Sequence, residues 1–120
     1  MPSAVRLQGA LPVIHRMAQD MKLITKEIAK KIPALYATEN LSDEEKMVWV
    51  KLFTPDAQWT WYIVEYDPSG LCFGIVDGLE KEIGYFDLRE LETLRGPLGL
   101  RIERDLHFKP TPMKEIMESY

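Results

Sequence analysis

The segment WVKLFTPDAQWTWYIVEYDPSGLCFGIVDGLEKEIGYF, residues 49–86, decides the fold. Trp49 and Phe53, then Trp59, Trp61, Tyr62 and Tyr66, then Phe73, then Tyr85 and Phe86 stand among Val and Ile, the residue types that fit a pleated strand. Turn chemistry separates the runs. Thr54-Pro55-Asp56 closes the first, and Asp67-Pro68-Ser69-Gly70 reads as a type I or II turn. Strands are therefore predicted at Met47 to Phe53, Trp59 to Tyr66 and Leu71 to Val76. A charged connection over 77–82 leads to a short fourth strand at Ile83 to Phe86. Connections this short join spatial neighbours, which makes the sheet an antiparallel meander.

Helices flank the strands. Pro12 can open one, with Val13, Met17 and Met21 as its apolar stripe. Thr25 is a good N-cap for a second, with Ile28, Ile32 and Leu35 at helical spacing and Pro33 stopping it at Ile32. Residues 37–46 are polar and turn-like. Asp87 and Glu90 have capping-box spacing for a helix carrying Leu88, Leu91 and Leu94, which Gly96 and Pro97 end. Arg101 to Phe108 reads as a fifth strand, with Ile102, Leu106 and Phe108 on one face and Glu103, Asp105 and His107 on the other. Thr111 and Pro112 start a last helix bearing Met113, Ile116, Met117 and Tyr120. The expected fold is a single α+β domain: a four- to five-stranded antiparallel sheet packed by short helices on one side.

Alternation makes both faces of that sheet apolar. Trp59, Trp61 and Ile63 lie on one side, and Tyr62, Val64 and Tyr66 on the other. Leu71, Phe73 and Ile75 oppose Cys72 and Val76 in the same way. An antiparallel sheet with one wet face would carry polar residues there. Either residues 1–21 and the last helix cover the second face, or Trp59, Trp61, Tyr62 and Tyr66 form an exposed patch for a protein partner, a role in which Trp and Tyr dominate. Self-association through the aromatic sheet fits the same pattern.

Composition narrows function mainly by exclusion. The chain has 120 residues, 46% hydrophobic and 28% charged, the proportions of an ordinary globular domain that needs no disulfides. Its one cysteine, Cys72, can form no internal disulfide and suits a reducing compartment. A net charge of −4 argues against broad contact with nucleic-acid backbone. No stretch approaches the about 20 apolar residues of a membrane helix. The apolar patch from Leu11 to Ile14 is shorter than a signal peptide's core. The chain is read as cytoplasmic, with no membrane partner.

No catalytic or metal-binding motif stands out. His15 and His107 lack a second ligand at metal-site spacing, and neither GLCFG nor RGPLG sits where a phosphate loop would. No cofactor is expected. Cys72 lies mid-strand and reads as a buried, inert thiol. The most suggestive polar run is Glu103-Arg104-Asp105 with His107 beyond it. Glu103, Asp105 and His107 could serve as acid/base groups or ligands. Arg104, on the apolar face, would need a carboxylate, for which Glu65 and Glu82 are candidates. Arg95, in the last turn of its helix, suits the helix dipole or, alternatively, recognises a partner.

From Met21 onward the chain resembles a family of uncharacterised bacterial proteins, a domain of unknown function found on conjugative plasmids and integrative elements. The stretches that carry the resemblance are MKLITKEIAKKIPALYATE (21–39), KLFTPDAQWTWYIVEYD (51–67) and FGIVDGLEKEIGYFDLRELETLRGPLGLRIERDLHF (73–108). Such proteins usually begin at a position like Met21, so residues 1–20 are taken as an N-terminal extension and 21–120 as the domain. The resemblance brings no activity and no catalytic residues; it implies a mobile-element context. The leading expectation is a non-enzymatic protein-binding module that inhibits a host restriction or CRISPR-type complex. An accessory protein touching nucleic acid through Lys26, Lys30 and Arg95 is the alternative, separable by a salt-dependent gel shift. An enzyme using Glu103, Asp105 and His107 is the third.

Overall fold

The computed structural model describes residues 22–119; the helix expected at Pro12, the extension over 1–20, His15 and Tyr120 lie outside them. Thr25 caps α1 (Lys26–Lys31), its hydroxyl accepting from the Ile28 N–H, and Ile32 ends the helix before Pro33. After the turns of residues 34–45 the chain enters β1 (Met47–Val48) and β2 (Val50–Phe53). Then follow β3 (Thr60–Tyr66), β4 (Leu71–Asp77), β5 (Lys81–Asp87) and α2 (Leu88–Thr93). The chain closes with β6 (Glu103–Arg104), β7 (Thr111–Pro112) and α3 (Met113–Glu118).

Five strands form one antiparallel sheet in the order β5-β4-β3-β2-β6, and β1 pairs with β7 in a small second sheet. The expected α+β meander is present. The turn at 67–70 closes with the Gly70 N–H on the Asp67 carbonyl at 2.8 Å, and Gly70 takes φ +110, a conformation that side chains resist.

Several expectations change in detail. The strand expected over Met47 to Phe53 is broken at Trp49, whose N–H reaches the Ile63 carbonyl at 2.9 Å while Val48 pairs with Thr111 and Val50 with Ile63. A bulge between Ile63 and Glu65 shifts the β3–β4 register by one residue. It moves Tyr66 to the face of Trp61 and Ile63, where alternation alone had placed it with Tyr62 and Val64. The fourth strand is longer than its apolar stretch, because the hairpin ladder runs from Asp77–Lys81 to Leu71–Asp87. The expected fifth strand shrinks to β6 and a bridge between Arg95 and Arg101. The Asp105 carboxylate accepts the His107 N–H at 2.9 Å and turns the chain there, so Ile102 is buried on one face, Phe108 packs on the other and Leu106 is exposed. Asp87 caps α2 through the Arg89 N–H, and the helix stops at Leu94, ahead of Gly96 and Pro97.

Both sheet faces are covered, by different elements. Leu23, Ile28 and Ile32 around α1, Leu88 and Leu91 of α2, and Ile102 pack with Trp61, Ile63, Leu52 and Cys72. Met113, Ile116 and Met117 of α3, with Val48 and Phe108, pack on Val64, Ile75, Tyr62 and Phe73. The helices therefore lie on two sides of the sheet, not one. The last helix does cover the second face, and residues 1–21 lie outside the described part. The segment between α1 and β1 is held by Glu65, which is 2% exposed. Its carboxylate accepts from the Tyr36 N–H at 2.7 Å, the Thr38 N–H at 3.0 Å and the Thr38 hydroxyl, and it holds Tyr36 at φ +68.

Cys72 is fully buried within this core, and its thiol donates to the Gly70 carbonyl at 3.5 Å. Burial, then the charge of Asp87, pushes the thiol up from 9.0 to about 12. A raised folded-state value favours the fold while the unfolded thiol is still protonated. That contribution fades as pH climbs from about 9 toward 12. Ellman's reagent at mildly alkaline pH is expected to leave native Cys72 unmodified and to label it fully in denaturant. Fast native labelling would show the strand to be open.

Candidate functional site

A groove of about 530 Å³ runs between the β2–β3 turn and the chain after β6. β2 and β6 pair in the register Leu52–Arg104 and Phe53–Glu103, and the Asp105 N–H continues the ladder to the Lys51 carbonyl at 2.9 Å. This pairing brings Glu103, Arg104, Asp105 and His107 against Phe53, Trp59 and Lys51. Thr54 fixes the turn on the opposite wall: its N–H donates to the Trp59 carbonyl at 3.0 Å and its hydroxyl accepts the Trp59 N–H at 3.1 Å.

Trp59 is 41% exposed, yet its indole is held. It stacks on Trp61 with ring centroids 6.1 Å apart and planes at 27°. It also lies on Gly78, where a Cβ would come within 2.3 Å of the ring. Its other side borders a second recess of about 300 Å³ with Leu79 and Glu82. An aromatic surface fixed in advance loses little side-chain entropy on binding. Opposite it, Leu106 is 61% exposed.

The charges in the groove are mixed. Lys51 Nζ stands 3.8 Å from the Asp105 carboxylate, both side chains part exposed. The Arg104 guanidinium donates to the Lys22 and Leu23 carbonyls, each at 2.8 Å. Those peptide oxygens satisfy it in place of the Glu65 or Glu82 carboxylate anticipated from sequence, and they tie residues 22–23 to β6. Burial draws the Arg104 guanidinium below its ordinary value. Burial first, then the charges of Asp77 and Asp105, raises the Tyr62 phenol. Among the described residues no group of His, Cys, Asp and Glu side chains is arranged to hold a metal ion.

The structure thus gathers Trp59, Glu103, Arg104, Asp105 and His107 around one groove. It separates the others. Trp61 is 6% exposed and belongs to the core. Tyr62 is half-buried against Phe108, and Tyr66 is half-buried on the opposite face. Arg95 is exposed, its Nη1 folded back on the Thr93 and Leu94 carbonyls at 3.3 and 3.1 Å. Its loop touches the β2–β3 turn where the Leu98 N–H meets the Asp56 carboxylate at 2.7 Å. Lys26 and Lys30 are both exposed on α1. Sequence reasoning missed Lys51, Phe53 and Leu106 as groove residues; only the β2–β6 pairing brings them in. Among the described residues no helix is long and apolar enough to cross a membrane.

Fold and groove define a small α+β domain with a recessed, aromatic-walled surface. The chain belongs to the family described as "Protein of unknown function (DUF2958)", which matches residues 23–118. No curated protein and no solved structure matches it.

Proposed function

We propose that this protein is a non-enzymatic protein-binding module of a mobile genetic element, and that the groove between Trp59 and Glu103–His107 receives a segment of its partner, a component of a host restriction or CRISPR-type complex. The observation that carries the reading is Trp59: a large aromatic surface, exposed, and fixed by Trp61 and Gly78 beside the apolar Leu106. Fixed tryptophans with a charged surround are the usual anchors of protein interfaces. The mobile-element setting rests on the sequence resemblance.

A photo-crosslinking residue at position 106 is expected to capture one subunit of such a complex. Trp59→Ala should weaken that interaction by about tenfold or more while the protein stays folded by circular dichroism. Retained affinity in Trp59→Ala would refute the groove as the docking site. A second reading, an enzyme using Glu103, Asp105 and His107, is favoured by one fact: all three line the same groove. His107→Ala separates the two, since it would abolish turnover of a substrate and leave partner capture intact or only modestly weakened.

A further inference from the structure

Among the described residues β5 is an outer strand of the five-stranded sheet, and its outer edge, on which no described strand pairs, has the sequence Lys81-Glu82-Ile83-Gly84-Tyr85-Phe86-Asp87. On the inner side, the Gly78 N–H donates to Glu80 and the Leu88 N–H to the Gly70 carbonyl. With the β4–β5 register of Gly74–Gly84, these bonds set the parity: Glu82, Gly84 and Phe86 turn their main-chain groups toward β4. Ile83 and Tyr85 therefore direct their N–H and C=O groups outward, as Lys81 does at the start of the strand. Ile83 and Tyr85 are 42% and 53% exposed, an unusually apolar margin for a strand at the outside of the described sheet. Tyr85 is continued by Phe73 and Tyr36, with ring centroids 5.2 and 6.2 Å away.

We infer that this edge pairs with the β5 of a second copy of the chain, antiparallel about a two-fold axis at Gly84, joining two sheets into one of ten strands. The strand is complementary to its own reverse. Centred on Gly84, Ile83 lies opposite the other copy's Tyr85, and Lys81 opposite its Asp87. The first is a favourable β-branched and aromatic cross-strand pair; the second sets opposite charges against each other, the Asp87 carboxylate being shared with Arg89 of its own chain, whose Nη2 stands 3.1 Å away. Neighbouring centrings lose these pairs: centred on Ile83, Asp87 faces Leu79; centred on Tyr85, Lys81 faces Arg89, a like charge; centred on Glu82, the two Glu82 carboxylates face each other. Parity agrees as well, because Ile83 and Tyr85 of both copies present their main-chain groups to each other and form four hydrogen bonds. The Lys81 ammonium is met inside its own chain by the Ile116 and Ser119 carbonyls, which carry no net charge to neutralise it.

Sedimentation analysis of the whole protein tests this, with the pairing expected to double the 13.9 kDa mass as concentration rises. Ile83→Pro costs the β4–β5 ladder no hydrogen bond, so it should stay folded by circular dichroism and sediment as a monomer. Gly84→Cys supplies an independent readout. The two Gly84 residues would face each other as a non-hydrogen-bonded pair with Cα atoms about 4.5 Å apart, within reach of a disulfide. Air oxidation should therefore give a covalent dimer from Gly84→Cys and not from Ile83→Cys. A wild-type chain that remains monomeric at sub-millimolar concentration, or a Gly84→Cys protein that fails to cross-link, would overturn the proposal. A dimer undisturbed by Ile83→Pro would place the contact elsewhere and overturn it equally.

Discussion

Gly74→Ala is expected to unfold this protein or bring it close to unfolding. Gly74 lies in β4, between Ile63 of β3 and Gly84 of β5, and immediately beside the bulge at Ile63 and Glu65. A Cβ at that position would sit 1.8 Å from the Tyr62 carbonyl oxygen and 2.9 Å from its carbon, with the Val64 nitrogen at 3.2 Å. These are main-chain atoms of a paired strand, so no rotamer change relieves the overlap. β3 must move away from β4, in the middle of the sheet that divides the two cores. Overpacking with no flexible neighbour costs about 3 kcal/mol or more. Against a domain stability of about 5–15 kcal/mol that is a large share. The melting temperature should fall by about 10 °C or more, or the protein should be recovered aggregated. Gly84→Ala is the control, since its Cβ meets nothing within 4 Å. If the two variants melt alike, the close approach of β3 to β4 is not what restricts position 74.

Glu65→Ala should be nearly as damaging, by a different route. The buried carboxylate accepts two main-chain N–H groups and a hydroxyl from Tyr36 and Thr38. Hydrogen bonds to a charged group contribute about 1.5–3 kcal/mol each, and a donor left buried without a partner adds its desolvation cost. Partial opening of the loop to water offsets some of this, leaving an expected loss of about 3–5 kcal/mol in chemical denaturation. Glu65→Gln keeps the shape and one acceptor oxygen, but it turns an amide N–H₂ toward donors, so it should fall between wild type and alanine. Proteolysis within residues 36–41 should accelerate in both variants, more in alanine. An alanine variant within about 1 kcal/mol of wild type would show that the segment is held by its other contacts.

These two positions also mark what the sequence could and could not reveal. The hairpins were readable because their turns are local chemistry: Pro68 and Gly70 specify the loop whatever surrounds it. The Thr25 cap was readable for the same reason. The bulge in β3 has no such marker; Val64 and Glu65 read as ordinary alternation, and Tyr66 was placed on the wrong face in consequence. The break at Trp49 was hidden in a continuous strand-forming run, because what interrupts it is a partner from the far end of the chain. At the site, Glu103, Asp105 and His107 stood out by their spacing, while the approach of Trp59 depends on β2 pairing with β6. Trp61, equal to Trp59 by composition, became core because its side chain meets α2 and Ile102 rather than the rim.

The split at Trp49 has a consequence for how the molecule comes apart. A single residue separates the strand that joins the small sheet from the strand that joins the large one. β1 is therefore tethered to the large sheet by its own backbone, so the small sheet can open only from its β7 side, where lifting β7 and α3 would bare Tyr62, Phe73 and Phe108.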